Sequence, residues 1–145
     1  MNIMLIGEFN HGMDQKNRII VPVKLREDLG ESFIITKGLD GCLYIYPKNE
    51  WLMFEAKLKA LPLTSKDARA FVRFFFSGAN EMEPDKMGRI LIPQSLLEYA
   101  GIADEVVSVG MMNRVEVWSK EKWKAYNDSE LDMDEIASRM NELGI

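Results

Sequence analysis

Asp14-Gln-Lys-Asn-Arg18-Ile-Ile-Val-Pro22 comes back, altered, as Asp85-Lys-Met-Gly-Arg89-Ile-Leu-Ile-Pro93. Each copy reads acid, three residues, arginine, apolar triplet, proline. The agreement extends outward. At a shift of 71, Leu25 meets Leu96, Glu27 meets Glu98, and Gly30 meets Gly101. One inserted residue makes the shift 72, and then Gly38 meets Gly110, Leu43 meets Val115, Ile45 meets Val117, Lys48 meets Lys120 and Trp51 meets Trp123. So many matches at special residues make this an internal duplication, and one unit must be read before the whole.

Residues 4–11 are apolar and strand-like. Residues 14–17 form a turn, because Asp can bond its own backbone two residues on and Asn tolerates a positive φ. Ile19-Ile-Val21 is a β-branched strand. Pro22 can open a helix, whose first turn needs no N–H from it. That helix aligns Pro22, Leu25 and Leu29 on one face, with Gly30 as a left-handed cap. Phe33-Ile-Ile-Thr36 and Cys42-Leu-Tyr-Ile-Tyr46 are two further strands around a turn at Leu39-Asp-Gly41. The second copy repeats this order: a strand to about Met82, a turn at 85–88, a strand at 90–92, a helix at 93–100, and strands at 105–109 and 114–118. Each unit therefore reads β-β-α-β-β. Such a unit leaves apolar strand faces bare, and two units packed together would cover them around a pseudo-two-fold axis. The fold class is α+β, mostly β.

Between the units, 49–60 carries Trp51, Phe54 and Leu58 at helical spacing. A second helix at 66–77, N-capped by Thr64 or Ser65, has Ala68, Phe71, Val72, Phe75 and Phe76 on one stripe. Residues 121–127 mirror the start of the first linker helix. A terminal helix at 132–143 is expected to bury Ile136, Met140 and Leu143, with an acidic first turn that suits the helix dipole. The expected division is 1–48 and 79–120 for the units, 49–78 for the linker helices and 121–145 for the tail.

The 145 residues carry a net charge of −5, which argues at first against a nucleic-acid partner. The distribution changes that. Six acids against Arg139 give residues 127–145 a net of −5, so residues 1–126 are neutral. Within them, Lys16, Lys24, Arg18 and Arg26 face only Asp14 across residues 14–26. A neutral body with local basic patches can bind phosphate, given several copies of the patch. The single cysteine, Cys42, lies in an apolar run and reads as a buried thiol in a reducing compartment. The opening residues lack the basic region of an export signal, and no run approaches the ~20 apolar residues of a membrane span. A cytoplasmic chain is expected.

Catalytic sets are hard to assemble. The one histidine, His11, is read as structural or surface. There is no phosphate-cradling glycine loop and no paired-histidine metal motif. No cofactor, metal or small-molecule substrate is expected. Asp14 and Asp85 read as braces for their turns rather than as paired acid and base. Arg18 and Arg89 are more informative. A guanidinium at the mouth of a strand presents forked donors matched to a phosphate or a guanine edge. A competing reading has each arginine clamp the units together across the pseudo-axis. Lys16, Lys24 and Arg26 would add phosphate contacts in the first copy. The second has Met87, Ser95 and Leu97 there and only Lys86 as an extra cation, so the first copy reads as the stronger binder.

These units, together with Gly38-Leu-Asp-Gly-Cys-Leu-Tyr-Ile-Tyr-Pro47, Lys66-Asp-Ala-Arg69, Phe75-Phe-Ser-Gly-Ala79 and Val115-Glu-Val-Trp118, resemble the MraZ family of bacterial transcriptional regulators. The likeness runs through residues 1–126. It implies two tandem AbrB-like halves forming one swapped-hairpin barrel. It also implies a cytoplasmic, nucleoid-associated homo-oligomeric ring. Such a ring binds repeated DNA boxes upstream of the division and cell-wall gene cluster, commonly including its own gene. The family's signature residues carry over as Asp14, Arg18, Asp85 and Arg89. Asn17 stands where Gly88 stands in the second copy, and its tolerance of positive φ should keep the turn. A ring would give exposed aromatic residues on the linker helices, Trp51, Phe54 and Phe74, a partner surface, if they are not intrachain core. The alternative function is a non-catalytic protein-interaction or assembly module without a direct DNA role, since AbrB-like folds also serve as antitoxin domains.

Overall fold

In the computed structural model, residues 4–129 and 131–145 are described. Glu130, counted above among the tail acids, and residues 1–3 lie outside them. The first unit comprises β1 (Glu8–Gly12), β2 (Arg18–Ile20), α1 (Val23–Leu29), β3 (Phe33–Lys37) and β4 (Leu43–Pro47). Helices α2 (Lys48–Lys59) and α3 (Lys66–Ser77) follow. The second unit comprises β5 (Asn80–Met82), β6 (Arg89–Leu91), α4 (Gln94–Ala100), β7 (Glu105–Gly110) and β8 (Val115–Ser119), and the chain ends in α5 (Lys120–Asp128) and α6 (Met133–Met140).

Six strands form one antiparallel sheet in the order β1-β7-β8-β4-β3-β5, and β2 pairs with β6 in a separate ribbon. The first strand of each unit has left its own hairpin and pairs with the other unit: β1 with β7, and β5 with β3. Two registers locate the pseudo-axis. Ile19 lies opposite its own counterpart Ile90 in the ribbon, and Tyr44 lies opposite Glu116 in the sheet. Among the described residues, no strand pairing joins sheet and ribbon into a closed barrel.

The alternation of each strand decides what it buries. Ile19 and Ile90 point inward with Val21, Ile92, Leu25, Leu29, Leu96 and Leu97, and this layer packs on Phe33, Ile35, Leu43, Val106, Val115 and Val117 of the sheet. The sheet's other face carries a second cluster: Cys42, Tyr44, Tyr46, Trp51, Leu58, Phe75 and Trp118. All five residues of β4 are buried because both its faces are covered. That is why its sequence is a continuous apolar run instead of an alternation.

Four expectations change. The strand after each turn begins at the arginine, not after it, so Arg18 and Arg89 belong to the ribbon. Gly30 has a positive φ of 85° but an extended ψ of −176°, so the left-handed helical cap occurs only in the second copy, at Gly101 (φ 65°, ψ 31°). Trp51 is buried, and Phe54 and Phe74 are half-buried in the second cluster, where Phe54 stacks on Tyr46 at 5.5 Å and Phe74 meets Phe75 edge-on at 5.0 Å. The linker residues left exposed are instead Leu52, Met53, Leu63, Phe71 and Phe76. The terminal helix does not bury its apolar stripe: Ile136 is half-buried, while Met140 and Leu143 are exposed. Helix α3 is held differently, by Phe75 in the core and by Thr36, whose hydroxyl donates to the Phe75 carbonyl at 2.5 Å.

Candidate nucleic-acid interface

The two turns have the same construction. In the first, Asp14 Oδ1 accepts the backbone N–H of Lys16 and of Arg18, each at 2.9 Å. Asn17 N–H donates to the Asp14 carbonyl at 3.1 Å, and Asp14 N–H donates to the Arg18 carbonyl at 2.9 Å. In the second, Asp85 Oδ1 accepts from Met87 and Arg89 N–H at 2.9 Å, with the matching backbone bonds from Gly88 and Asp85 both at 2.9 Å. The residue before each arginine has positive φ, 61° at Asn17 and 79° at Gly88. A tight turn closed by a left-handed residue re-aims the chain straight into the ribbon strand.

The other carboxylate oxygen sets the arginine. Asp14 Oδ2 accepts from Arg18 Nε at 2.7 Å, and Asp85 Oδ2 from Arg89 Nε at 2.8 Å. Each aspartate thus uses both oxygens, one on the turn's backbone and one on the guanidinium. The backbone N–H of the arginine, then its side chain, hold both carboxyls below the usual carboxylate range. Only Nε is engaged. Among the described residues, the Nη nitrogens of Arg18 and Arg89 have no hydrogen-bond partner. Each arginine is fixed at its base with its two-pronged end open. No ion pair joins Arg18 to Asp85 or Arg89 to Asp14. The clamp across the pseudo-axis is made by backbone instead: Val21 N–H donates to the Gly88 carbonyl at 2.8 Å, and Ile92 N–H to the Asn17 carbonyl at 3.0 Å.

The remaining cations divide. Lys16 is exposed on the first turn and Lys86 on the second, whereas Lys24, expected to serve the first turn, is exposed on α1, which follows the end of β2 that meets the second turn at Gly88. Arg26 is placed differently. Its Nη2 donates to the Val21 carbonyl at 2.9 Å, its Nε is buried without a partner, and its guanidinium lies against Gly88. It braces the second unit's turn from the first unit's helix. Its counterpart Leu97 is buried. Elsewhere, His11 Nε2 shares a 2.9 Å hydrogen bond with Ser108 Oγ on the neighbouring strand, and burial lowers its pKa. Cys42 is fully buried, and burial pushes its thiol pKa up. Among the described residues no cluster of three His, Cys, Asp or Glu side chains suits a metal ion, and no helix is long and apolar enough to cross a membrane.

The duplication is also what the comparisons with known proteins pick out. A family model described as "MraZ protein, putative antitoxin-like" matches twice, over residues 4–74 and 75–143. The chain belongs to the MraZ family. Relatives named "Transcriptional regulator MraZ" match along their whole length and over 98% of this chain. Those of Clostridium tetani and Clostridium acetobutylicum are 66% and 63% identical over 142 residues, and that of Caldicellulosiruptor saccharolyticus is 58% identical over 143. The MraZ name is that of a regulator, a role without catalysis. Sequence reasoning did not find the Arg26 brace or the buried Glu116. Arg26 lies against Gly88 of the other unit, which no local pattern connects to it, whereas Glu116 is held by Trp118 and Arg114, two residues to either side.

Proposed function

We propose that this chain is a transcriptional regulator that binds double-stranded DNA with the β2–β6 ribbon and its two turns. The observation that carries the reading is the pair of guanidiniums held at Nε by their own aspartates, with open Nη forks, on one ribbon. An open fork on a rigid base suits bidentate bonding to phosphate or to guanine O6 and N7. In this reading Asp14 and Asp85 orient the arginines, Asn17 and Gly88 set the turns, and Lys16, Lys24 and Lys86 meet phosphates. Arg26 serves mainly by positioning the second turn. The halves are AbrB-like with exchanged first strands, as in a swapped hairpin. Because a neutral body with two small basic prongs binds weakly alone, several subunits act together as a homo-oligomeric ring on repeated boxes. The site is upstream of the division and cell-wall gene cluster that includes the protein's own gene, in the nucleoid of the cytoplasm. No cofactor or small-molecule substrate takes part.

The test is fluorescence anisotropy with duplex DNA from upstream of the protein's own gene, across a salt series. Arg18→Ala and Arg89→Ala should each weaken binding. A variant lacking one phosphate-neutralising side chain should have its log–log salt slope lowered by about 0.9. Wild-type affinity in both variants would refute the assignment. A protein-interaction module is the second reading, favoured by exposed Leu52, Met53, Leu63, Phe71 and Phe76 on the linker helices. It predicts a stable complex with another protein and no salt-dependent DNA binding.

A further inference from the structure

The outer face of the ribbon holds more than arginine. Ile19 and Ile90 point into the core, so their neighbours point out. Register sets Arg18 opposite Leu91 and Ile20 opposite Arg89. The outward face is therefore a two-by-two block, with arginines on one diagonal and aliphatics on the other. Ile20 is 49% exposed and Leu91 58%. Nothing in the fold needs them apolar. Both pseudo-symmetry-related positions are aliphatic.

We infer that Ile20 and Leu91 are specificity-determining residues that read thymine C5-methyl groups in the major groove. The inference rests on the DNA-binding reading above and names part of what that site recognises. Three points support it. A two-stranded ribbon fits the major groove, and the thymine methyl is the one apolar feature displayed there. Residues on one face of a strand are ~6.8 Å apart, twice the ~3.4 Å rise of a base step. Arg18 and Ile20, or Arg89 and Leu91, can thus address positions two steps apart on one edge of the groove. Finally, each arginine's open Nη fork suits a guanine edge and each adjacent aliphatic a thymine methyl. A protein partner docking on this face would have to desolvate two guanidiniums whose Nη groups have no hydrogen-bond partner, which disfavours it. Phosphate contact by itself gives no role to the aliphatic diagonal.

The experiment compares two versions of the upstream duplex in anisotropy at one salt concentration: the natural one, and one with deoxyuridine in place of every thymine, which removes only the methyl groups. A scrambled duplex with the same replacement controls for changes in the DNA itself. Wild type should bind the uracil duplex about fourfold more weakly for each methyl group that Ile20 or Leu91 would have covered, and the scrambled pair equally. The Ile20→Ala/Leu91→Ala variant, altered at exposed positions, should keep its fold by circular dichroism and its salt slope. It should bind the thymine and uracil duplexes alike. Equal wild-type binding to both duplexes would overturn this inference while leaving the DNA-binding reading intact. A variant that keeps the wild-type thymine preference would also overturn it, as would one that changes only the number of subunits. Absence of salt-dependent binding to any duplex would sink the functional reading itself.

Discussion

Gly88→Asn places in the second turn the residue that the first turn already uses at Asn17, yet it should be strongly destabilising. The obstacle is Arg26. A Cβ at Gly88 would overlap Arg26 Nη2 and Cζ and come within 2.8 Å of Nη1. The guanidinium would have to swing away and give up its 2.9 Å hydrogen bond to the Val21 carbonyl. Val21 is buried, so that oxygen would be stranded, at a cost of about 1.5–3 kcal/mol for a bond from a charged donor. Holding Asn at φ 79° adds about 1 kcal/mol. The sum is about 3 kcal/mol. Arg26→Leu alone loses the same hydrogen bond but also removes a buried Nε that has no partner. In that background Gly88→Asn meets no guanidinium, and its cost should fall to about 1 kcal/mol. Together, Arg26→Leu and Gly88→Asn recreate the Leu97 and Asn17 pair of the other half. A double-mutant cycle by urea unfolding, at fixed protein concentration and with unchanged m-values, should therefore give a coupling of about 2 kcal/mol. Additivity within about 0.5 kcal/mol would refute the reasoning, because the two residues would then not compete for the same space.

Two further predictions concern buried or braced acids. Asp14 and Asp85 have carboxyl pKa values lowered by the backbone N–H of Arg18 and Arg89 and then by their side chains, so each stabilises the fold fully above the unfolded pKa of about 3.9 and loses that contribution as pH falls through the lower folded value. The stability gap between wild type and Asp14→Asn should be constant above about pH 5 and shrink below pH 4, and a gap that does not change with pH would contradict the bracing role. Glu116, only 8% exposed, accepts from Trp118 Nε1 at 2.9 Å and lies 3.7 Å from Arg114 Nη2. Glu116→Gln keeps an acceptor for the indole and should cost about 1 kcal/mol. Glu116→Ala strands that N–H beside an unpaired guanidinium and should cost about 3 kcal/mol, read by urea unfolding and tryptophan emission. Equal losses would mean that the indole hydrogen bond contributes nothing.

Much of this was legible in the sequence because it is local or repeated. Asp14, Asn17, Arg18 and Pro22 lie within nine residues, and turn chemistry ties each to its neighbour. The repeat then turns one surface arginine into a matched pair. What escaped depends on the other half. Nothing near Arg26 says that it packs under a glycine 62 residues away, so it reads as one more surface cation. Trp51 and Phe54 have the spacing of an apolar helix face that either the chain's own core or a partner could cover, and only the sheet order reveals that β4 covers it with Tyr46. The tail's apolar stripe misleads in the opposite sense. Ile136, Met140 and Leu143 have the period of a buried face, yet among the described residues α6 makes no such core.

The two residues that meet at the sheet end of the pseudo-axis show why fusing the halves matters physically. In a dimer of identical chains, a residue on the two-fold axis faces its own copy. Two buried Glu116 side chains would repel each other. Two Tyr44 side chains would crowd a face that also holds Tyr46 and Phe75. One chain can place Tyr44 opposite Glu116 and add Arg114, whose guanidinium lies 4.6 Å from the Tyr44 ring centroid and near the Glu116 carboxylate. Arg114 is the counterpart of Cys42, a small buried thiol, so both members of this junction differ between the halves. At the ribbon end the axis residues remain the same, Ile19 opposite Ile90. The axis residues thus differ at the sheet end, where like would meet like badly, and are the same at the ribbon end between the two arginines. On that reasoning, Ile90→Val and Ile19→Val should have matching small costs of about 0.5–1.5 kcal/mol, whereas exchanging Tyr44 and Glu116 should not be tolerated without moving Arg114 as well.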